Sequence, residues 1–449
     1  MNKMDGKSMD LIAENVEQLK KLFPEAVTEG KIDFEVLKAL LGGEIEQRQE
    51  YYKFTWNGKE AARAYARTRS MGTLRPCEAE SSGKDGTPGK FDSENLYIEG
   101  DNLEVLKLLQ ETYLGKVKMI YIDPPYNTGK DFVYPDNYRN PIGEYKALTG
   151  QVDDEGKSTR ANPETSGRYH TDWLNMMYPR LILARNLLTD DGVIFISIDE
   201  HEVINITNIC NDVFGEENNL NLIVWDKRNP KGEVVGVAQQ HEYIAVICKN
   251  KTAFAEANFF FRPKEHGQQM LDKAAQLVKK YGTDSQEAAA QYKDWINSHK
   301  QDFSGGELAY CFLDEQGRVY QPVSMAAPDK PETRSHRPLI HPVTQKECPV
   351  PAKGWRYPDD SMDKLLENRL ILFGNDESIQ PRRKYLLQEN KLERVPSLLY
   401  FGGNDDAFGL PFDNPKPLYV LKKLVDSVAK SNDIILDFFS GSATTAHAV

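Results

Sequence analysis

The 449-residue sequence has no long hydrophobic run, and its five cysteines form no C-x-x-C pair. Their spacing also includes no matching histidines, so the sequence predicts neither disulfides nor a zinc or other metal site. The charged N-terminus, MNKMDGKSMDLIAENVEQ, lacks the apolar core of a secretion signal. No window approaches the length that a membrane span needs. We therefore expect a cytoplasmic protein with reduced thiols.

The sequence has fewer basic than acidic residues. It contains 56 lysines and arginines and 68 aspartates and glutamates, which gives a net charge of -12. This balance argues against a protein that coats nucleic acid by bulk charge alone, but it is compatible with a local basic groove. The G-x-G-x-x-G fingerprint of dinucleotide-binding proteins is absent as well. At this length, two or three domains are expected.

The first third of the chain alternates ordered segments with polar ones. Apolar residues recur at helical spacing in 9–42, which predicts two short amphipathic helices. Residues 78–95 are rich in glycine, serine and charge, so we expect a mobile linker there. The segment LYIEGDNLEVLKLLQ (96–110) then predicts a short strand, an Asp-Asn turn and a helix, and KVKMIYID (116–123) predicts a second strand. A long surface loop is expected at 136–168, where apolar residues are few.

The middle of the chain alternates near-continuous apolar strands with helices. A helix beginning at Trp173 is predicted to end at Gly192, and a strand, a helix at 201–214 and two further strands follow it. This alternation is typical of an open α/β sheet that is buried on both faces. From about 251 the sequence becomes polar and proline-rich, and the α/β pattern returns after 400. We therefore expect an α/β domain that a second domain interrupts.

The final segment, DIILDFFSGSATTAHAV (433–449), predicts a strand, a turn of small residues and the start of a helix. The chain stops at Val449, within the first turns of this helix. An α/β domain rarely ends there, because one face of the strand would be uncovered. We expect the sequence to be a fragment or the product of a truncated gene.

Ligands of open α/β sheets bind beyond the carboxyl ends of the strands. Three predicted strand ends carry an acid, namely Asp101, Asp123 and Asp437. After Asp437, a turn of small residues at 440–443 would let a ligand approach the backbone and the N-terminus of the following helix. A strand-to-helix turn capped by serines is the alternative interpretation.

The most informative stretch is Asp-Pro-Pro-Tyr at 123–126, which ends a buried strand abruptly. Prolines fix φ and present carbonyls without competing N–H donors, so Asp123 and the Pro124 carbonyl would form two acceptors at a fixed separation. Two acceptors suit an amino group with two hydrogens. Pro125 keeps the turn rigid, and Tyr126 offers an aromatic face to a planar ring. A proline-terminated strand with a surface tyrosine is the alternative.

Five segments together resemble the amino-group DNA methyltransferases that use S-adenosylmethionine: DPPYNTGKDFVY, DDGVIFISIDE, HEYIAVICKN, NPKP and LDFFSGSATTAHAV. Their order, with the D-P-P-Y motif before the insert and the cofactor motif after it, resembles the β class. The segment IEGDNLEVLKLL and the size of the N-terminal part further resemble the modification (Mod) subunits of type III restriction systems. The resemblance implies a Rossmann-like methyltransferase sheet that is interrupted by a target-recognition domain.

The same resemblance implies a domain order, a reaction and partners. The implied regions are an N-terminal helical region and linker (1–90), a catalytic half (91–250), a target-recognition insert (251–400) and a cofactor-binding half (401–449). The implied reaction is methyl transfer from S-adenosylmethionine to adenine N6 in double-stranded DNA, and it needs no metal. A restriction (helicase-nuclease) subunit and a second copy in a homodimer are the implied protein partners.

The resemblance also assigns roles to single residues. Asp123 and the Pro124 carbonyl would accept hydrogen bonds from N6 of an adenine that is flipped out onto Tyr126. Lys416 would lie near the methionine carboxylate of the cofactor. Ala443 replaces the last glycine of the family's F-x-G-x-G motif, a change that is tolerable where φ is negative. The acid that binds the ribose hydroxyls is expected after the end of the sequence. The implied cofactor-binding residues are Asp101, Asn414, Lys416, Asp437, Phe439, Gly441 and Ser442.

Basic residues of the insert are candidates for contacts with DNA phosphates and bases. Surface charge on any soluble domain would look similar, so each one alone is weak support. Other polar residues have plainer interpretations, with His170 and His201 as solvated loop residues and Glu242 as part of a strand start. The candidate DNA-binding residues are Arg334, Arg337, Arg356, Arg382, Arg383 and Lys384.

Alternatives to adenine methylation stay open. Methylation of cytosine N4 would use the same two acceptors on a similar amino group. A truncated, inactive DNA-recognition subunit would keep the insert but fail to bind the cofactor. Methylation of RNA or of protein amides is disfavoured by the large insert and by aspartate at position 123, where such sites often carry asparagine.

Overall fold

A computed structural model describes most of the chain, which folds into two compact units. The loop predicted at 136–168 and the candidate residue Asn414 lie outside the described residues. Unit 1 combines Met1–Phe260 with Pro396–Val449, and unit 2 is Phe261–Val395. The described residues are 8–28, 30–42, 53–128, 169–228, 236–257, 260–329, 331–401 and 415–449.

The α-helices of the described residues are numbered along the chain. They are α1 (Leu11–Leu22), α2 (Phe34–Leu41), α3 (Lys59–Ala66), α4 (Asn102–Tyr113), α5 (Tyr169–Leu187), α6 (Val203–Phe214), α7 (Lys251–Glu256), α8 (Gly267–Tyr281), α9 (Gln286–Ser298), α10 (Gly305–Leu308), α11 (Asp359–Glu367), α12 (Leu418–Val428) and α13 (Thr444–Ala448). Short 3-10 helices cover Pro24–Ala26, Glu216–Asn218 and Pro331–Thr333. The two helices predicted at 9–42 are confirmed, and Asp10 and Asp33 cap their N-termini.

The strands of the described residues are numbered in the same way. They are β1 (Val27–Thr28), β2 (Lys31–Ile32), β3 (Val117–Ile122), β4 (Leu188–Ile198), β5 (Asn219–Asp226), β6 (His241–Cys248), β7 (Phe261–Pro263), β8 (Phe312–Leu313), β9 (Val319–Ser324), β10 (Ile371–Leu372), β11 (Arg382–Leu386), β12 (Leu392–Arg394), β13 (Leu398–Tyr400) and β14 (Ile434–Leu436). β1 and β2 form a small antiparallel pair near the N-terminus.

The main sheet of unit 1 has six strands in the order β13-β5-β6-β4-β3-β14. β6 is antiparallel to both of its neighbours, whereas all other neighbouring pairs are parallel. Five of the six strands therefore point in one direction, and their carboxyl ends lie at one edge. β13 and β14 follow unit 2 in the chain, so segments from both sides of that unit build the sheet. The predicted α/β sheet is confirmed.

Both faces of this sheet are buried, as its near-continuous apolar strands predict. Successive residues of β4 alternate between the faces. Ile194 and Ile196 join a core with residues of α3, α4, α5 and α6. Phe195 lies on the other face and stacks on Phe260, with ring centroids 6.1 Å apart. All positions of β3 are buried, so the loop that follows it starts from a rigid strand.

The strand predicted in LYIEG is wrong, because residues 96–100 form no strand. Leu96 and Tyr97 are 70% and 79% exposed, and only Ile98 of this apolar segment packs against the core, so little holds it against a sheet. α4 instead begins directly after Asp101, whose carboxylate accepts a hydrogen bond from the Glu104 backbone N–H over 3.0 Å. Asp101 is thus a helix cap and does not follow a strand.

The helix end predicted at Gly192 is also wrong. α5 ends at Leu187, and β4 begins with the next residue. Leu188 pairs with Val117 of β3, so strand pairing draws the segment up to Gly192 into the sheet. A partner distant in the sequence outweighs the local helical pattern here.

The N-terminal helices belong to the same compact unit as the sheet. Lys59 of α3 is buried and lies 2.6 Å from one carboxylate oxygen of Asp212. The Tyr178 hydroxyl donates to the other oxygen of Asp212 over 2.6 Å. The Trp56 indole N–H donates to Asn175 over 2.8 Å. Buried polar contacts of this kind fix α3 against α5 and α6.

Unit 2 contains a four-stranded antiparallel sheet with the order β10-β11-β9-β8 and a two-stranded pair of β12 and β7. Its apolar side chains form two clusters. One surrounds α8 and α9 and includes Tyr292 and Tyr310, and the other includes Trp355 and Leu365 of α11. The polar helices predicted at 262–300 are confirmed as α8 and α9.

Two further expectations concern membranes and thiols. No described helix combines the length and the apolar character that a membrane span requires. All five cysteines are free thiols, as their spacing predicts. Burial raises the pKa of the Cys248 thiol to about 11, which makes it a poor nucleophile.

Candidate active site

Two acids lie at the carboxyl ends of neighbouring strands. β3 and β14 are parallel, and Ile120 of β3 pairs with Leu436 of β14. Asp123 follows β3 and Asp437 follows β14, so both carboxyl groups lie at the same edge of the sheet. Two of the three predicted acids therefore share the edge where ligands of such sheets bind.

Side chains from outside the D-P-P-Y loop anchor its backbone. The Trp173 indole N–H donates to the Pro125 carbonyl over 2.7 Å. Asn127 is fully buried at a φ of 62°, and its side-chain amide donates to Glu202 over 2.5 Å. The Pro124 carbonyl accepts no hydrogen bond from any residue that the structure describes. The loop is thus held firmly while one of its carbonyls keeps its acceptor capacity.

Glu202 is the centre of a buried polar cluster behind this loop. Its carboxylate is fully buried, and besides Asn127 it binds His170 Nδ1 and the Asn205 side-chain amide, both over 2.7 Å. His170 lies in the first turn of α5 and not in a loop, and its imidazole is against this carboxylate. Its interpretation as a solvated residue is confirmed, since the imidazole is 53% exposed.

Four charged side chains meet around Tyr126. The Lys416 ammonium lies 3.3 Å from Asp123 Oδ1 and 2.9 Å from Glu242 Oε2, and it donates to the Tyr126 hydroxyl. The other oxygen of Glu242 lies 2.6 Å from the Lys227 ammonium. Lys416 also lies 4.7 Å from the centroid of the Tyr126 ring. Asp123 Oδ1 is buried and accepts no well-aligned hydrogen bond from the described residues.

The protonation states of this cluster follow from burial and charge. Burial raises the pKa of Asp123, although the Lys416 ammonium opposes this rise. Burial would also raise the pKa of Glu242, but Lys416 and Lys227 outweigh it and lower that pKa to about 2. The pKa of Lys416 is raised, because the two carboxylates outweigh the effect of burial. Burial and the neighbouring carboxylates raise the pKa of Tyr126 well above its ordinary value.

The loop after β14 is held mainly by its own hydrogen bonds. The Asp437 carboxylate accepts from the Thr445 hydroxyl over 2.6 Å and from the Phe439 backbone N–H over 2.9 Å. Burial nevertheless raises the pKa of Asp437 to about 6. The Phe438 carbonyl accepts from the Asn102 side chain over 2.7 Å, which joins this loop to the start of α4.

Arg180 of α5 extends that link into the core. Its guanidinium is fully buried and donates to Asn102 over 2.7 Å and to the Met176 carbonyl over 2.6 Å. Asn102 follows the helix cap Asp101, so Asp101 comes close to the loop after β14 although it follows no strand. α5 therefore supports both loops, through Trp173 on one side and Arg180 on the other.

The turn of small residues contains two left-handed positions. Gly441 has a φ of 50°, and Ala443 has a φ of 57° with a ψ of 27°. The φ of Ala443 is positive, so the condition under which alanine is readily tolerated at this position is not met. An L-residue in this region costs roughly 1–2 kcal/mol. The Ser442 hydroxyl binds the Thr444 hydroxyl over 2.9 Å, which closes the turn onto α13.

A profile described as DNA methylase matches residues 117–449 of this sequence. This chain belongs to the DNA methylase family. The Mod subunit of the type III enzyme EcoP15I from Escherichia coli is 34% identical over an alignment of 444 residues that covers 96% of this chain and 67% of that protein. The StyLTI Mod subunit of Salmonella typhimurium is 32% identical over an alignment of 439 residues that covers 92% of this chain and 58% of that protein. The family resemblance inferred from the motifs is confirmed.

Solved structures of DNA methyltransferases are also similar to this DNA methylase, at a lower level. M1.HpyAVI in complex with SAM is 14% identical, with a TM-score of 0.30, and the match covers 78% of this chain and 84% of that chain. The PvuII cytosine-N4-specific methyltransferase is 8% identical, with a TM-score of 0.31, and the match covers 77% and 74%. The chain spans 67% and 58% of the length of the two Mod relatives.

The residues around the β14 loop of this methylase fit an adenosyl cofactor. The turn at 440–443 has no side chain larger than serine, so a ligand can approach its backbone. Asp101 and Asp437 place carboxylates near this turn, where they could accept hydrogen bonds from amino or hydroxyl groups. Lys416 is the exception among the predicted cofactor residues described, because its ammonium contacts Asp123, Tyr126 and Glu242.

Several site residues of the methylase carry no sequence signal. Arg180, Glu202 and Lys227 lie in three different segments and match none of the motifs. Glu242 does begin a strand, as HEYIAVICKN predicts, but it also joins the charged cluster. An acid at a strand position that is otherwise apolar is the one signal that could have marked it.

The predicted DNA-binding residues of unit 2 differ in burial and in the ion pairs that they form. Arg334 lies 3.1 Å from Asp329, and Arg337 lies 2.6 Å from Asp363. Lys384 does not fit its predicted role, because it is buried and its ammonium lies 2.6 Å from Glu315. A phosphate could recruit Lys384 only by breaking that buried ion pair.

Arg356, Arg382 and Arg383 lie near one another at the end of the four-stranded sheet. The Arg356 backbone N–H donates to Met325, and the neighbouring Ser324 pairs with Arg382. Arg356 and Arg382 are exposed. Arg383 lies between two tyrosines, with its guanidinium 5.3 Å from the ring centroid of Tyr357 and 4.5 Å from that of Tyr385. This arginine and tyrosine surface has the chemistry of a nucleic-acid contact.

One group of described residues has the geometry of a metal site. Asp199, Glu200 and His201 follow β4, and each offers a ligand atom within 4.8 Å of the others. His201 lies in the turn after β4 with its side chain 32% exposed, and its backbone N–H and its ring nitrogen both lie 3.0 Å from Asp199. These hydrogen bonds account for the cluster without a metal ion.

Proposed function

We propose that this chain transfers a methyl group from S-adenosylmethionine to N6 of adenine in double-stranded DNA, as the modification subunit of a type III restriction-modification system. The observation that carries the proposal is a pair of acceptors, the Asp123 carboxylate and the Pro124 carbonyl, beside Tyr126 in a chain of the DNA methylase family. The Asp123 side chain is 28% exposed although its Oδ1 is buried, and the Pro124 carbonyl accepts no hydrogen bond from the described residues, so both groups suit an incoming amino group.

The geometry supports the following roles. An adenine in a duplex is paired and stacked, so it has to be flipped out before its amino group can reach these acceptors. The base would stack on Tyr126, and its two N6 hydrogens would point to the Asp123 carboxylate and to the Pro124 carbonyl. This orients the nitrogen lone pair away from the acceptors. N6 gains positive charge as it forms the bond to the methyl carbon, and the Asp123 carboxylate stabilises this charge and can take the proton.

S-adenosylmethionine, when bound, supplies the electrophilic methyl group. The small-residue turn at 440–443, with Phe439, Gly441 and Ser442, would hold it together with Asp101 and Asp437. The family and the type III relatives support this assignment. Cytosine N4 is the second candidate target, because the same two acceptors fit its amino group. No observation on the described residues favours cytosine over adenine.

The substrate DNA and the protein partners follow from the same relatives. The exposed Arg356 and Arg382, with Arg383 between its tyrosines, support DNA recognition by unit 2, which agrees with the predicted insert at 251–400. The similarity to Mod subunits of type III restriction-modification enzymes supports a restriction subunit as partner. We include a homodimer and a cytoplasmic location in the proposal.

The test is methylation of duplex DNA by the purified chain, followed by mass spectrometry of the nucleosides. We expect N6-methyladenine from the wild type and a loss of at least about 100-fold in Asp123→Ala. Asp190→Ala is the matched control, because its side chain is 80% exposed and remote in sequence from the loop. Wild-type rates in Asp123→Ala, or N4-methylcytosine as the product, would contradict the proposal. Calorimetry that shows no binding of S-adenosylmethionine would favour an inactive recognition subunit.

A further inference from the structure

Lys416 occupies an unusual place for a residue that was predicted to bind the cofactor. Its side chain is only 11% exposed, although lysine is among the residues least often buried. The ammonium has three partners within the charged cluster, namely Asp123, Glu242 and the Tyr126 hydroxyl. Each partner belongs to the proposed base site or contacts it directly. The position of Lys416 therefore bears on the charge of that site.

Asp123 needs a nearby cation if it is to stay ionised. It follows a fully buried strand, and burial disfavours its charged form. The titratable groups that face it from the surrounding segments are Lys416 before α12, Glu242 of β6, Tyr126 of its own loop, Tyr121 of β3 and Asp437 after β14. Lys416 is the one cation in this set of described groups. Of the other groups, Glu242 disfavours a negative charge on Asp123, whereas a hydrogen bond with Tyr126 favours it without supplying a positive charge.

We propose that Lys416, held in place by Glu242, is a positioning residue that keeps the Asp123 carboxylate ionised for the target amino group. The inference rests on the proposed function and names what sets the charge of its key acceptor. An ionised carboxylate can accept a hydrogen bond through either oxygen. A protonated one would present a hydroxyl donor towards the donor hydrogens of the base.

Glu242 keeps Lys416 from pairing with Asp123 alone. An ammonium that paired with Asp123 alone would compete with the target amine for the same oxygen. Glu242 Oε2 lies 2.9 Å from Lys416, closer than Asp123 Oδ1 at 3.3 Å, so Glu242 is the better partner of the two. Lys227, at 2.6 Å from the other oxygen of Glu242, keeps that acid ionised in turn. Asp123 thus feels the positive charge while its oxygen stays available.

The decisive variant is Lys416→Met, which keeps the length of the side chain and removes its charge. We measure single-turnover methylation rates against pH with saturating duplex DNA and S-adenosylmethionine. Without the cation, the pKa of Asp123 rises, so the acidic limb of the profile should move to higher pH by about 1 to 3 units. Lys416→Arg keeps the charge and should leave the limb within a few tenths of a unit of the wild type.

Two further variants separate this role from a loss of stability. Lys118→Met is the matched control, because Lys118 is also buried on β3 and lies 2.5 Å from Asp191, away from Asp123. It should lower the rate equally at all pH values, or leave it unchanged, without moving the limb. Glu242→Gln removes a negative charge near Asp123, so it should move the limb in the opposite direction, to lower pH. Its plateau rate should fall, because Lys416 then pairs with Asp123.

The cofactor-binding role predicted for Lys416 gives a different result. Calorimetry on Lys416→Met would then show affinity for S-adenosylmethionine lowered at least tenfold, and the acidic limb would stay in place. That result, or a loss of rate without a shift, overturns the inference while wild-type methylation still supports the proposed function. A limb that shifts upward in Lys416→Met and not in Lys416→Arg, with cofactor affinity retained, supports it. If the wild type forms no methylated base, the proposed function itself fails.

Discussion

The loops after β3 and β14 start side by side from parallel strands, yet they are built in different ways. The loop after β3 carries two prolines, and its acid, Asp123, lies in a cluster of four charged side chains. The loop after β14 consists of small residues, and its acid, Asp437, binds a hydroxyl and a backbone N–H of the same loop. Burial raises the pKa of both acids.

The difference shows how one sheet edge can provide two kinds of surface. Prolines and distant charged residues fix Asp123 as an acceptor whose hydrogen-bonding capacity is kept for a ligand. Asp437 already accepts two hydrogen bonds within its own loop, and these fold the turn into a surface that a ligand can approach closely. The first arrangement suits a group that must be oriented. The second suits a ligand that is held largely by shape and by backbone contacts.

The largest expected loss of stability follows from breaking the link between α5 and the β14 loop. Arg180→Met leaves the part-buried Asn102 side-chain oxygen without this donor and removes a side-chain donor from the buried Met176 carbonyl. We expect the free energy of unfolding to fall by about 3 kcal/mol, measured by urea denaturation. Arg185→Met on the same helix is the control, since its buried Nε has no partner among the described residues. Equal destabilisation by the two variants would contradict this account.

The next effect loosens the support of the β3 loop. Glu202→Gln replaces one of the buried oxygens with an amide that faces donors from Asn127, Asn205 or His170. We expect a loss of about 2 kcal/mol in the free energy of unfolding and a lower methylation rate, because the D-P-P-Y loop loses its anchor. Glu200→Gln, at an exposed neighbouring position, should change neither quantity. Full activity in Glu202→Gln would show that the loop holds its shape without this cluster.

The D-P-P-Y loop could be predicted from the sequence, whereas the residues that support it could not. The D-P-P-Y clamp could be predicted, because its acceptors and its ring are consecutive residues with constrained backbones. The support by Glu202 and the charge of Lys416 could not, since each acts on a residue that is far away in the sequence. Local patterns failed in the same way at Leu188, where pairing with Val117 replaced a predicted helix by a strand.

A smaller effect concerns the pH dependence of stability that Asp437 causes. The pKa of Asp437 is raised to about 6, so the folded protein binds this proton more tightly than the unfolded chain does. Stability from this group is therefore complete below about pH 4 and is lost as the pH rises through about 6. Asp437→Asn removes this loss but also one acceptor. We expect it to stabilise the protein by about 1–2 kcal/mol at pH 7.5 and to lose that advantage at pH 4.5, measured by thermal unfolding. An advantage that is the same at both pH values would contradict the assigned pKa.

The smallest effect concerns the left-handed alanine in the β14 turn. Ala443 has a φ of 57°, where an L-residue pays roughly 1–2 kcal/mol that glycine does not. Ala443→Gly also makes the unfolded chain more flexible, which costs about 0.4–1 kcal/mol. The net expectation is a gain of about 0.5 kcal/mol, seen as a small rise in the midpoint of thermal unfolding. Ala446→Gly, at an exposed position in α13, should do the opposite, because glycine weakens a helix. If Ala443→Gly lowers the midpoint of thermal unfolding as Ala446→Gly does, the backbone at Ala443 is not strained, and this account of the turn is contradicted.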